Sequence, residues 1–176
     1  NIQSAGVIGH HTGASMACEL AKSHPDRINK IVLHGVPLYT AEERQERLSA
    51  LHVDLSPQKD GSHLLDYWNW IQSRVGEKAS LDACHMSALH AFQAGEKEWY
   101  CHQAAFKYDM EKTLKTLIQP CLVVSNEGDP INYITPRVQS LRPDFSFSEL
   151  EGGSVFIIRD EPSRWINAFI DFIKPN

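Results

Sequence analysis

The sequence predicts an α/β fold: a parallel sheet flanked by helices, with a helical segment inserted between two of its strands. Three observations carry this. Short apolar runs at 5–9, 28–34, 121–124 and 145–150 read as strands, and helical patterns alternate with them. The first run passes at once into a helical pattern through Gly9-His10-His11-Thr12-Gly13. From about Tyr39 to Tyr108 the periodicity is helical throughout, too long for an ordinary crossover.

The first run, Ala5 to Gly9, is short and apolar enough for a buried strand, and Thr12 to Ser23 supplies the helix behind it. Ala14, Ala17, Cys18 and Ala21 give that helix a small-residue face suited to a sheet. The Gly-x-x-x-Gly turn between them has the layout of a nucleophile elbow, which lifts one side chain above the carboxyl edge of the sheet. Both glycines, Gly9 and Gly13, are expected where a Cβ would clash between strand and helix. His24-Pro25-Asp26 stops the helix, because the residue before proline resists helical angles. Ile28 to His34 is the second strand, ending at Gly35-Val36-Pro37, and strand, helix, strand in this order make a right-handed parallel unit.

Within the insertion, helices are expected over Ala41–Leu51, Leu64–Val75, Leu81–Ala94 and Glu96–Lys107. Leu65, Trp68 and Ile71 stand at helical spacing, and Trp70, Trp99 and Tyr100 are further large aromatics for a core or a pocket wall. A short helix over Glu111–Ile118 leads to the third strand, whose end carries Asn126-Glu127-Gly128-Asp129-Pro130. Thr135–Leu141 is a helix opened by Pro136, and the fourth strand is followed by the loop Glu151-Gly152-Gly153-Ser154. One last helix spans about Pro162 to Ile173, with Trp165, Ala168, Phe169 and Phe172 as its apolar stripe.

The chain has 176 residues, 42% hydrophobic and 22% charged, enough for a globular domain with a core. A net charge of -5 argues against nucleic acid or an anionic membrane as the main partner. No apolar run approaches the ~20 residues that span a bilayer. The four cysteines form no CxxC pair; Cys18 and Cys121 fall in apolar patterns as core thiols, which fits a reducing cytoplasm. Cys84-His85 and Cys101-His102, with His90 between, match no zinc spacing, and neither a metal nor another cofactor is expected.

These segments resemble the α/β-hydrolase superfamily along nearly the whole chain. Gly9-His10-His11-Thr12-Gly13 resembles its elbow, His24-Pro25-Asp26-Arg27-Ile28 its link into the next strand, and Pro120 to Pro130 the turn presenting its acid, at Asp129. Glu151 to Pro162 resembles the loop of its catalytic histidine. The resemblance implies a core of 1–38 and 109–176, a helical cap at 39–108, and only the last four of the family's eight strands. It also implies that the first strand is a sheet edge and that the chain is a fragment, completed by an N-terminal remainder or a second chain and unstable as an isolated monomer.

The family's chemistry needs a hydroxyl nucleophile, a histidine and an acid. Asp129 fills the acid position, but His11 stands at the nucleophile and Val155 where the histidine should be. A Ser-His-Asp mechanism is excluded in this register. His11 has three readings: a structural imidazole filling the slot, a base paired with Asp129 while the Thr12 amide receives negative charge, or an acyl-accepting nucleophile. By the resemblance His10 lines the pocket, and its alternative is a hydrogen-bonded scaffold role. Ser125 and Asn126 at a strand end could touch a ligand, whereas Ser154 and Gly152-Gly153 read as turn residues. The expected function is a divergent hydrolase of small ester-like or carbonyl substrates with a His11/Asp129 site. The alternatives are a non-catalytic small-molecule-binding protein on the same scaffold, or a partner-binding pseudoenzyme marked by an exposed apolar patch on the cap.

Overall fold

The structure is a computed structural model that describes residues 2–50 and 53–174. Four strands form one sheet in the order β1-β2-β3-β4: β1 (Ala5–His10), β2 (Ile28–His34), β3 (Cys121–Asn126) and β4 (Ser146–Leu150). All three pairings are parallel. His10 lies opposite His34, His34 opposite Val124, and Asn126 opposite Leu150, so these ends share the sheet's carboxyl edge.

Alternation along β2 and β3 gives the sheet two apolar faces, as expected of parallel strands covered on both sides. Ile31, Leu33, Cys121 and Val123 pack with Ala14, Ala17, Cys18 and Ala21 of α1 (Thr12–Ser23). Met110 and Leu114 of α6 (Met110–Leu114) and Val138 of α7 (Thr135–Leu141) join that face. Val32, Leu122 and Val124 pack on the other face against Phe169, Trp165 and Phe172.

Between β2 and β3 lie α2 (Ala41–Ser49), α3 (Ser62–Gln72), α4 (Leu81–Ala94) and α5 (Glu98–Lys107). Tyr67, Ile71, Cys84, Ala88 and Ala91 form a separate cluster there. The helical reading of 39–108 was too continuous, because 53–61 carries no helix, and Leu51, where α2 was expected to end, lies outside the described residues. Leu65 does not face inward as its spacing suggested: it is 61% exposed, and Tyr67 with Ile71 supplies the buried face. Tyr100 is likewise exposed, while Trp68, Trp70 and Trp99 are half-buried.

The expected helix over Glu111–Ile118 is confined to α6, and Pro120 immediately precedes β3. The last helix is broken. After α8 (Ile157–Asp160), which the sequence reading missed, come α9 (Pro162–Asn167) and α10 (Ile170–Ile173), parted at Ala168 and Phe169. The apolar stripe survives the break because Trp165, Ala168, Phe169 and Phe172 still meet one sheet face. Cys18, Cys84 and Cys121 are buried free thiols and Cys101 is exposed; burial pushes the Cys18 thiol up to about 12. No described helix is long and apolar enough to cross a membrane.

Candidate functional site

The carboxyl edge of the sheet gathers His10, His11, His34, Asn126 and Asp129. His11 sits between β1 and α1 with φ 50 and ψ -114, the one positive φ among the described non-glycine residues. Such a conformation is costly for a residue with a Cβ, and it is held on both sides. The His11 N–H donates to the His34 carbonyl at 2.9 Å, and the His11 carbonyl accepts from Ala14 N–H at 2.8 Å. A Cβ on Gly9 would be driven into the Gly13 carbonyl and stand 2.7 Å from Ala14 Cα, so strand and helix can meet only through glycine there. Gly13 differs from expectation: a Cβ on it would meet nothing within 4 Å. Its backbone is what crowds Gly9.

His11 Nε2 lies 2.7 Å from Asp129 Oδ2, across 118 positions of sequence. The His11 side chain is 27% exposed and that of Asp129 1%. Asp129 Oδ1 accepts the Ile131 N–H at 2.8 Å, and its own N–H donates to the Asn126 carbonyl at 3.0 Å. Burial pushes the carboxyl up, but the His11 hydrogen bond and charge and the Ile131 N–H outweigh it and hold Asp129 below the ordinary carboxylate value. With Nε2 committed to the carboxylate, Nδ1 is the acceptor of a neutral His11 ring. Gly35, at φ +61, leaves space for this pair: a Cβ there would stand 2.6 Å from His11 Nε2 and 2.8 Å from Asp129 Oδ2.

Two further imidazoles surround the carboxylate. His34 is fully buried, and its Nε2 is 4.0 Å from Asp129 Oδ2. The Trp165 indole N–H donates to His34 Nδ1 at 2.9 Å, which places the ring hydrogen on Nε2, facing Asn126 Oδ1 at 3.0 Å. Asn126 then donates through Nδ2 to the carbonyls of Gly152 and Ser154. His10 stacks on His11 with ring centres 4.1 Å apart, and its Nε2 is buried without a hydrogen-bond partner. Burial, then repulsion from His11 and His34, lowers the His10 pKa to about 3. Burial likewise lowers that of His34. Both rings are neutral at neutral pH.

His10, His11 and Asp129 offer metal-ligating atoms within 4.8 Å of one another. The two imidazoles, however, lie face to face at an interplanar angle of 24°. A ring nitrogen's lone pair lies in its ring plane, so these rings do not aim at one common ion without turning.

Of the expected site residues, His11 and Asp129 meet directly, and Thr12 opens α1 beside them. His11, the N-cap, makes no side-chain bond to that helix end, where the Ala14 N–H is taken by the His11 carbonyl. Val155 stands half-buried on the loop after β4. Asn126 is fully buried and engaged with His34 rather than open to a ligand, and Ser125 is buried too. Ser154 does more than turn the chain: its hydroxyl donates to Asp160 Oδ2, and Asp160 Oδ1 accepts from Ser80 at the start of α4. Clefts of about 430 Å³ lie elsewhere, one beside Tyr39, Arg137 and Leu141 and one between α3 and α4; neither is lined by His10, His11 or Asp129. Sequence reasoning missed His34, Trp165 and Gly35 as parts of the site. The usable signal was positional, since ligands of open parallel sheets sit outside the carboxyl ends of the strands, where His34 lies.

No known family profile and no curated protein matches the chain by sequence. Solved structures do match. A bromoperoxidase from Bacillus anthracis superposes with TM-score 0.77 at 17% identity, over 99% of this chain and 68% of its own. An E-2-(acetamidomethylene)succinate hydrolase gives 0.69 at 19% identity, over 97% of this chain and 67% of its own. The enol-lactonase from Burkholderia xenovorans LB400 gives 0.67 at 18%, over 97% and 66%. The chain thus spans about two thirds of the length of these structures, and at such identity the likeness is one of fold.

Proposed function

The chain has the α/β-hydrolase fold, and on that fold we propose a divergent hydrolase of small ester-like or carbonyl substrates that works with His11 and Asp129. The observation that carries this reading is the 2.7 Å contact between His11 Nε2 and the buried Asp129 carboxylate. Asp129 fixes the tautomer, so His11 Nδ1 is the base. It takes a proton from water as the oxygen attacks the carbonyl, and returns that proton to the leaving alkoxide when the tetrahedral adduct collapses. Asp129 offsets the positive charge on the ring between these steps. The Thr12 N–H at the start of α1 is the donor for the developing oxyanion. Val155 exchanges no proton. The lactonase and the E-2-(acetamidomethylene)succinate hydrolase among the similar structures support a carbonyl substrate. The outer edge of β1, beside a cleft lined by Ile2, Ala5 and Leu20, supports completion of the sheet by a further strand of the same protein or a second chain.

The test is hydrolysis of a short-chain nitrophenyl ester by the full-length protein beside His11→Ala and Asp129→Asn. Turnover should drop at least about 100-fold in each, as for loss of a general base. Turnover indifferent to both changes sinks the proposal. A second reading, binding without chemistry, draws on the apolar groove between α3 and α4, where Leu64, Leu65 and Leu89 are exposed around Trp68 and Phe92. It gains if no ester is turned over while an apolar ligand binds that groove.

A further inference from the structure

Most of the buried polar groups at the carboxyl edge form one connected chain, and His34 is its middle. On one side the Trp165 N–H occupies His34 Nδ1. On the other, His34 Nε2–H holds Asn126 Oδ1, and Asn126 Nδ2 fastens the Gly152 and Ser154 carbonyls. The backbone of the same turn is stitched to that loop by Gly128 N–H to the Gly152 carbonyl and by Glu127 Oε2 accepting the Gly152 N–H. Asn126 also gives its main-chain carbonyl to the Asp129 N–H. A shift of Asn126 therefore moves the backbone that carries the Asp129 carboxylate.

The tautomer matters as much as the contact. With the hydrogen on Nε2, His34 turns a positive dipole end toward both Asn126 Oδ1 at 3.0 Å and Asp129 Oδ2 at 4.0 Å. With the hydrogen on Nδ1, a lone pair would face two oxygens at the same distances, in a site where His34 has no exposed surface and water cannot compensate. The indole N–H can only donate, so it forbids that second state.

We propose that His34 is a positioning residue for the His11–Asp129 pair, locked by Trp165 in the tautomer that holds Asn126 and, through it, the Asp129 turn. This rests on His11–Asp129 as the functional pair, but its test does not need turnover. Trp165→Phe keeps an aromatic ring against Phe169 and removes the donor together with part of the indole. His34→Gln keeps one acceptor and one donor, whereas His34→Leu keeps neither.

The measurement is 15N and proton NMR of the histidine rings in the folded full-length protein and these variants, with kcat and KM for the nitrophenyl ester alongside. In the wild type, His34 shows a protonated Nε2 and a bare Nδ1, unchanged through neutral pH, and His11 shows a low-field Nε2–H bonded to Asp129. In Trp165→Phe the His34 nitrogens move toward a tautomer mixture, the His11 Nε2–H signal shifts, and kcat falls about tenfold with KM little changed, the scale of one hydrogen bond. His34→Gln recovers the His11 signal and His34→Leu does not. A wild-type His34 carrying its hydrogen on Nδ1 overturns the proposal. So does a Trp165→Phe protein whose His34 and His11 signals both stay in place. If the wild type turns over no ester, the hydrolase reading fails, and the ring signals still decide the positioning role.

Discussion

Gly35→Ala isolates the His11–Asp129 contact. The added Cβ would stand 2.6 Å from His11 Nε2 and 2.8 Å from Asp129 Oδ2, so the imidazole must leave the carboxylate. Gly35 also holds φ +61, where an alanine costs about 1–2 kcal/mol. Losing a charge-assisted hydrogen bond to a buried carboxylate costs about 1.5–3 kcal/mol. The smaller conformational freedom of alanine in the unfolded chain returns about 0.4–1 kcal/mol. The net destabilisation is therefore about 1.5–4.5 kcal/mol. The assay is urea unfolding of wild type, Gly35→Ala, His11→Ala and the double variant. With the imidazole already gone, Gly35→Ala should cost its backbone strain and the remaining crowding against Asp129 Oδ2, but no longer the His11 contact, leaving a coupling of about 2 kcal/mol. Gly13→Ala is the control: a helical position with open space around it, expected to be neutral or to gain up to about 1 kcal/mol. Equal costs of Gly35→Ala with and without His11 would refute the placement of the ring.

Gly9→Ala should be far more damaging than Gly13→Ala, because its Cβ meets main chain rather than a movable side chain. A loss above about 3 kcal/mol, or failure to accumulate as folded protein, is expected by thermal or urea unfolding; a variant within about 1 kcal/mol of wild type contradicts the close crossing. The buried histidines make stability depend on pH. The His10 pKa is about 3 when folded, against 6.5 for an ordinary histidine. The unfolded chain thus binds the extra proton, and stability is whole above about pH 6.5 and falls as pH drops toward 3. Between about pH 7.5 and 5 His10 alone removes about 2 kcal/mol, and His34, lowered by burial, acts in the same direction. Urea midpoints across that range, in wild type and His10→Phe, should show a shallower slope in the variant; stability that rises on acidification contradicts the assignment.

By itself the sequence determined the alternation of elements. The runs of β1, β2 and β3, the small-residue face of α1 and the stop at His24-Pro25 are local patterns, and local periodicity reports which face a segment will bury. It also brought His11 and Asp129 to notice, through the glycine turn and the strand-end acid that resemble one family's layout. Element ends were less legible: the break at Ala168–Phe169 leaves the apolar stripe intact, so periodicity could not show it. Tertiary structure decided what those residues touch. His11 reaches Asp129 across 118 positions, and Trp165 reaches His34 across 131. Whether a histidine is a neutral scaffold or a base depends on its burial and on the atom facing each ring nitrogen, and no spacing records either. Gly9 and Gly13 look alike in the motif, yet only Gly9 points its missing side chain into the neighbouring backbone. Gly35 looks like a strand end and is the space that lets imidazole and carboxylate meet. Clearance and partner are properties of packed surfaces, and packing sets them only once strands and helices distant in sequence lie side by side.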